Sequence, residues 1–302
     1  MHQLLVHSQV ERPVRCGGLS ARRIAGTADL VMSDFYVHGY ELREAERLAD
    51  QAGTLVELLH AGTAYPAGST VLEVGCGVGA QTIPLARRSS QARFTSVDIS
   101  AVSITEAERR TGEAGIANVT FLQGDVFGLP FEAGSFDHAF VCFVLEHLAR
   151  PVEALRAVGA LLRPGGTLTV IEGDHGSAYF HPDSEAARAA IGCQIELQAR
   201  AGGDALIGRQ VYPLMIAAGF EEVSVSPRMV YVDASRPDLV DGFIVKTFTA
   251  MIEGVREPAL SAGLSGGCRF DAGVEALRRT TEADGVFCYT FFKGVGHTRP
   301  PS

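Results

Sequence analysis

Between residues 70 and 171 the chain alternates short apolar runs with longer stretches whose apolar positions recur every three to four residues. The runs at 70–75, 93–98, 119–123, 137–142 and 167–171 read as strands, and the stretches between them as helices. Right-handed crossovers between such units make a parallel sheet covered on both faces. Upstream, Leu42, Ala45, Leu48, Ala52, Leu55, Val56 and Leu59 predict a helix over 41–60, which Tyr65 to Ser69 separate from the first strand. Downstream, the stretch after Gly219 and Phe220 gives a sixth strand, and residues 286–293 a seventh. Two segments are additional. Residues 176–206 read as one or two helices, and 236–283 carry Val240, Phe243, Ile244, Phe248, Met251, Ile252 and Val255 at helical spacing. Both overhang strand ends, so with the N-terminal helix they are expected to enclose a substrate.

The stretch Val71 to Thr82 reads VLEVGCGVGAQT: a strand ending in an acid, three alternate glycines, then a helix predicted to open near Ala80. Gly75, Gly77 and Gly79 permit dihedrals closed to other residues and let a ligand touch the backbone. Gly75, Gly77 and Ala80 also satisfy a dinucleotide pattern, which taken alone is weak. The neighbours tilt the reading. Glu73 ends the first strand, where a carboxylate repels a pyrophosphate and accepts an amino group. Asp98 ends the second and suits ribose hydroxyls; Gly124 and Asp125 end the third and suit the amine of adenine. Three acids on successive strand ends, with no lysine nearby, describe a cationic nucleoside without phosphates.

That set resembles the class I S-adenosylmethionine-dependent methyltransferases. The resemblance continues through SFDHAFVCFVLEHL at 135–148, similar to the family's fourth strand and the floor beneath the methyl donor. It extends to LLRPGGTLTVIEGD at 161–174, similar to its turn into the fifth strand. It implies an α/β fold: a doubly wound, seven-stranded, mostly parallel Rossmann-like sheet with an antiparallel last strand, N-terminal helices and a helical lid. It implies S-adenosylmethionine held by Tyr40, Arg43, Glu73, Gly75, Cys76, Gly77, Gln81, Asp98, Ile99, Gly124, Asp125, Val126, Cys142, Phe143 and His147. A nicotinamide oxidoreductase and a ligand-free doubly wound domain are the competing readings.

For the chemistry, Tyr36, His38 and Tyr40 cluster before the first helix, with Arg43 placed to meet a carboxylate; the alternative is a helix cap with packed rings. Glu172 and His175 leave the fifth strand toward the acceptor and are the candidate bases, with Tyr36 as a third catalytic candidate. Tyr36, His38, Glu172, Tyr179, Tyr212 and Phe243 are the candidate substrate contacts, the last two more readily read as core when each is taken singly. Segments such as EGDHGSAYFHPDS and GGDALIGRQVYPL also resemble bacterial natural-product C-methyltransferases of the teleocidin and geranyl diphosphate type. That closer resemblance implies C-methylation of a prenyl double bond in a small apolar metabolite, and a homo-oligomer with an exchanged N-terminal helix. An O- or N-methyltransferase of a small aromatic or polyketide metabolite is the alternative.

The expected organisation is an arm and helix (1–60), a donor-binding core (61–175), a lid insertion (176–206), core continuation (207–235), a helical lid insertion (236–284), and a last strand with tail (285–302). Net charge is −9, with no long basic run, which argues against nucleic acid. The first residues do not read as a secretion signal, and no apolar stretch reaches membrane-span length, so a cytoplasmic protein is expected. Six scattered cysteines without a C-x-x-C pair read as reduced thiols, and no strong ligand spacing predicts a metal.

Overall fold

The computed structural model describes residues 55–300. Tyr36, His38, Tyr40, Arg43 and the N-terminal arm lie outside the described residues, as does most of the helix expected over 41–60; its last turn, 55–59, is helical.

Seven strands form one sheet: β1 (Thr70–Val74), β2 (Arg93–Asp98), β3 (Val119–Gln123), β4 (Phe136–Cys142), β5 (Leu162–His181), β6 (Glu221–Asp233) and β7 (Val286–His297). Their order is β3-β2-β1-β4-β5-β7-β6. The first five pair in parallel, and β7 lies antiparallel between β5 and β6. Successive residues face opposite sides of a strand. Val71, Phe140 and Ile171 therefore enter one apolar cluster, while their neighbours Leu72, Val141 and Val170 enter another on the other face. Burial on both faces explains why these strands read as continuous apolar runs.

Helices α1 (Thr82–Arg88) and α2 (Ala101–Glu113) connect the early strands; α3 (Pro151–Leu161) leads into β5, and α4 (Glu185–Arg200) and α5 (Val211–Ala218) follow it. Each is placed by its apolar positions: Leu155 and Val158 of α3 join Val211 and Met215 of α5 in one core. On the opposite face, Leu55 and Leu59 pack beside β1 and β4. The chain just beyond them is pinned to β7 by Lys293, whose ammonium donates to the Ala61 carbonyl at 2.8 Å and to the Thr63 hydroxyl. Burial, and then the charges of Arg228 and Arg88, lower the Lys293 pKa from 10.5 to about 8.

The fifth strand is longer than its apolar run. Residues 176–181, expected to begin a helical lid, continue β5: Tyr179, Phe180 and His181 pair with Cys288, Phe287 and Val286. A register shift between Asp174 and Tyr179 absorbs the Gly-Ser interruption, and Phe180 stacks on Phe287 with centroids 6.2 Å apart. Long-range pairing with β7 overrides the loop-like local sequence.

The second insertion is helical as expected, with one difference in winding. Val240–Thr249 is π-helical, flanked by α-helical Pro237–Leu239 and Ala250–Gly254. The wider turn aligns Phe243 with Phe248 five residues on, and both reach β7. Thr247 donates its hydroxyl to the Gly242 carbonyl at 2.7 Å within that turn. Further on, α6 (Gly267–Arg279) crosses α4 at Gly273, where a Cβ would lie 2.8 Å from that of Ala190.

Candidate active site

The strand order reverses between β1 and β4, so the loops leaving these strands diverge and open a crevice at their carboxyl ends. The glycine turn after β1 forms one wall. Gly75, Gly77 and Gly79 have φ of +70°, +51° and +77°, a region that L side chains enter with strain. Their surroundings differ. A Cβ at Gly75 would overlap the Val144 side chain, and one at Gly79 would press on Ala107 at 3.2 Å, whereas nothing lies within 4 Å of one at Gly77. Two glycines close the turn against its neighbours and the middle one faces open space. The helix begins at Thr82, two residues later than expected, and has seven residues.

Asp98 organises that turn. Its Oδ2 accepts the Gly77 N–H at 2.8 Å and its Oδ1 accepts the Ser100 N–H at 2.9 Å. Burial raises its pKa, against the lowering effect of those backbone bonds. The Gly75 and Cys76 N–H groups donate to the Val97 carbonyl at 2.8 and 3.0 Å, and Gly124 N–H donates to the Asp98 carbonyl. The ends of β1, β2 and β3 are thus fixed together. Beside them Ile99 is 45% exposed, an apolar side chain left at a polar rim. Asp125 is exposed and caps the short helix Val126–Gly128 by accepting the Phe127 N–H at 3.0 Å.

Glu73 lies beneath the turn. It is buried, and its Oε2 accepts the hydroxyls of Thr82 at 2.7 Å and Ser96 at 2.6 Å. Burial raises its pKa from 4.5 to about 7, with the Asp98 charge adding to the effect. The direct ligand contact expected of it gives way to an internal brace between β1, β2 and α1. Gln81 is likewise engaged: its Oε1 is 2.6 Å from Nε2 of buried His60. Burial lowers the His60 pKa to about 4, so that ring is neutral.

The other wall follows β4. Cys142 is buried, and burial raises its thiol pKa well above the usual value. Phe143 takes φ +57°, rare for a bulky residue, and its N–H donates to the Ile171 carbonyl at 2.9 Å. Glu172 at the end of the parallel part of β5 holds the next residues: its Oε1 accepts the N–H groups of Val144 and Leu145 at 3.0 and 2.8 Å. Its Oε2 is buried with no hydrogen-bond partner among the described residues. Burial first, and then the Glu146 charge, push this carboxyl well above the ordinary range. Glu146 accepts from Gln198 at 3.1 Å and lies 3.7 Å from the His147 ring nitrogen.

His175 is buried beside them, with Nδ1 2.6 Å from the Tyr289 hydroxyl. Asp174 takes a bidentate bond from Arg209, 2.7 Å at each oxygen. The remaining candidates separate. Phe243 is a core residue rather than a substrate contact: it is 1% exposed and packs on Phe248, Phe287, Tyr289 and Phe291. Tyr212 and Tyr179 are 52% and 57% exposed; Tyr179 donates its hydroxyl to Met229 sulfur at 3.3 Å. Tyr289, which sequence reasoning does not single out, finds room beside His175 because Gly173 lacks a Cβ. Among the described residues no group of three His, Cys, Asp or Glu side chains is placed to hold a metal ion, and no helix is long and apolar enough to cross a membrane.

Residues 71–166 match a family model described as a methyltransferase domain. An uncharacterised 37.1 kDa protein of a Streptomyces fradiae transposon is 36% identical over 198 residues, covering 65% of this chain and 56% of that protein. The ubiquinone/menaquinone biosynthesis C-methyltransferase of Roseobacter denitrificans is 32% identical over 107 residues, 35% of this chain and 43% of its own. The chain thus spans about half the length of these relatives. Among solved structures, a phosphoethanolamine N-methyltransferase of Haemonchus contortus with bound S-adenosylhomocysteine superposes with TM-score 0.56 at 16% identity. It covers 90% of this chain and 61% of that one. The sheet order, the antiparallel seventh strand and the matched domain make this the class I methyltransferase Rossmann-like fold.

Proposed function

We propose that the chain is an S-adenosylmethionine-dependent methyltransferase that methylates carbon in a small apolar, prenyl-bearing metabolite. The observation that carries the donor assignment is the turn built around Asp98: glycines at positive φ, an open approach at Gly77, and a carboxylate whose oxygens each accept one backbone bond and keep a lone pair for ribose. Ile99 and Val126 flank it as apolar surfaces for a purine. The bound donor supplies an electrophilic methyl on a sulfonium. The chain's own residues orient the acceptor, exclude water and receive the proton that is lost.

Carbon methylation is supported by the acceptor side. Glu172 offers a buried oxygen with no hydrogen-bond partner among the described residues, and it holds the segment that follows Phe143, whose half-buried ring packs on Phe291. An alkene attacks the methyl carbon with its π pair, the carbon–sulfur bond breaks toward sulfur, and the acceptor is left as a carbocation. Aromatic faces stabilise such a cation by about 0.5–2 kcal/mol each. Glu172 Oε2 then takes a proton from the adjacent carbon, whose C–H pair forms a new double bond. Its raised pKa suits a base that works near neutral pH. We further propose that Tyr36, His38, Tyr40 and Arg43 close the site, supplied by a neighbouring subunit of a homo-oligomer.

Incubation with methyl-labelled donor and a panel of prenylated and phenolic metabolites, with mass spectrometry to locate the label, tests this reading. Label on a prenyl carbon supports it. Label on phenol oxygen or amine nitrogen replaces it with O- or N-methylation.

A further inference from the structure

One residue touches both halves of the site. Val144 follows β4 and precedes the short helix Leu145–His147, half-buried against the apolar cluster of Leu72, Val141 and Val170. On the donor side its isopropyl group fills the place where a Cβ of Gly75 would stand. Such a Cβ would overlap Cγ2 of Val144 and lie 3.3 Å from its Cγ1. On the acceptor side its backbone N–H donates to Glu172 Oε1 at 3.0 Å, with the Leu145 N–H on the same oxygen at 2.8 Å. One contact uses the side chain and the other the main chain, so they are independent.

The flanking chain leaves Val144 little freedom. Phe143, directly before it, takes φ +57° and donates its N–H to the Ile171 carbonyl at 2.9 Å, so β5 fixes the chain on entry. Leu145, directly after it, is 1% exposed. Across the crevice the Gly75 N–H is held by the Val97 carbonyl at 2.8 Å, which fixes the turn from the other side. A β-branched side chain between two fixed backbones has few rotamers open to it.

We propose that Val144 is a positioning residue that sets the spacing between the glycine turn and Glu172, bearing on the turn with its side chain and on the carboxylate with its own N–H. A push on the turn is then felt at the amides that hold Glu172. The shape of residue 144, and not only its apolar character, is what the site uses: Val144→Ala opens a gap behind Gly75, whereas Val144→Thr keeps the branched outline. This rests on the reading of the turn as the donor wall and of Glu172 as the base.

The test uses the full chain labelled with nitrogen-15 and follows the Leu145 amide signal during titration with S-adenosylhomocysteine to saturation. The ligand is expected to shift that signal in the parent and in Val144→Thr, and to leave it nearly still in Val144→Ala. An equal shift in Val144→Ala overturns the inference, as does a Val144→Thr protein that behaves like Val144→Ala. Calorimetric affinity for the same ligand is then compared between Gly75→Ala and Gly75→Ala/Val144→Ala. Residues in contact couple, so the second substitution should recover binding by about threefold or more. Losses that simply add overturn the inference, and if Gly75→Ala does not fold, the titration series decides alone. A parent that binds no S-adenosylhomocysteine defeats the methyltransferase reading instead. The coupling is then judged by whether Gly75→Ala displaces the Leu145 signal and Val144→Ala reverses it.

Discussion

The Leu145 backbone N–H donates to Glu172 Oε1 at 2.8 Å, so one oxygen of this carboxylate holds the segment after β4, and the proposed function gives the other, buried with no partner among the described residues, the role of base. Glu172→Gln keeps a carbonyl oxygen for the backbone bonds and removes the base. Donor affinity is expected to be unchanged, while turnover falls by about 10²–10⁴-fold or the product becomes a rearranged alkene. Because the folded carboxyl pKa is raised, the parent's rate rises as pH increases through it, and the variant's residual rate lacks that rise. His175→Ala is expected to cost less than Glu172→Gln with an alkene acceptor. An undiminished rate and unchanged product in Glu172→Gln remove Glu172 from the mechanism.

The glycine turn predicts a separation of stability from binding. Gly75→Ala combines a positive φ with overlap against Val144, and is expected to lower thermal stability measurably, by about 1–3 kcal/mol or more. Gly77→Val places its Cβ where no protein atom lies within 4 Å, so its stability loss is mainly that of the backbone strain, yet it fills the donor's approach. Differential scanning fluorimetry with and without S-adenosylhomocysteine checks both. Ligand stabilisation that survives in Gly77→Val contradicts the assignment of that face.

Glu73 predicts a pH dependence of folding. Its pKa is raised from 4.5 to about 7, so the folded state holds this proton more tightly than the unfolded chain does. The resulting stability is fully present below pH 4.5 and is lost as pH rises through 7. Glu73→Gln, whose amide oxygen can still accept from Thr82 and Ser96, removes that slope. Urea melts of both proteins should therefore agree in acid and diverge toward neutral pH, with the parent falling behind Glu73→Gln as its carboxyl ionises.

Phe243 predicts a packing defect. Truncating a buried phenylalanine within an aromatic cluster costs about 3–5 kcal/mol, so Phe243→Ala should shift the denaturation midpoint strongly. A stable variant altered only in acceptor KM would return Phe243 to the pocket.

The sequence carried the parallel strands and the glycine turn because their signals are local: apolar period, turn residues and acids at strand ends. The partition of Val71 and Leu72 between two cores follows from the alternation of side chains along β1. What stayed hidden depended on partners far away in the chain. Residues 176–181 look like a loop until β7 is beside them. Glu73 looks like a ligand contact until the hydroxyls of Thr82 and Ser96 are seen to claim it. Phe243 reads more readily as core than as wall, and the π-helical turn sets it against Tyr289. Tyr289 itself becomes visible only through the space that Gly173 leaves open.

The central claim, that the crevice beside Asp98 binds the methyl donor, is tested most directly by calorimetric titration of S-adenosylhomocysteine into the parent and Asp98→Ala. Two charge-assisted hydrogen bonds at about 1.5–3 kcal/mol each are lost with the carboxylate, so affinity should fall by about two orders of magnitude or more. Asp98→Asn, which keeps an oxygen for one of the Gly77 and Ser100 N–H groups, should fold better and bind with intermediate strength. Equal affinity in parent and Asp98→Ala, or a parent that binds NAD and no S-adenosylhomocysteine, would contradict the account.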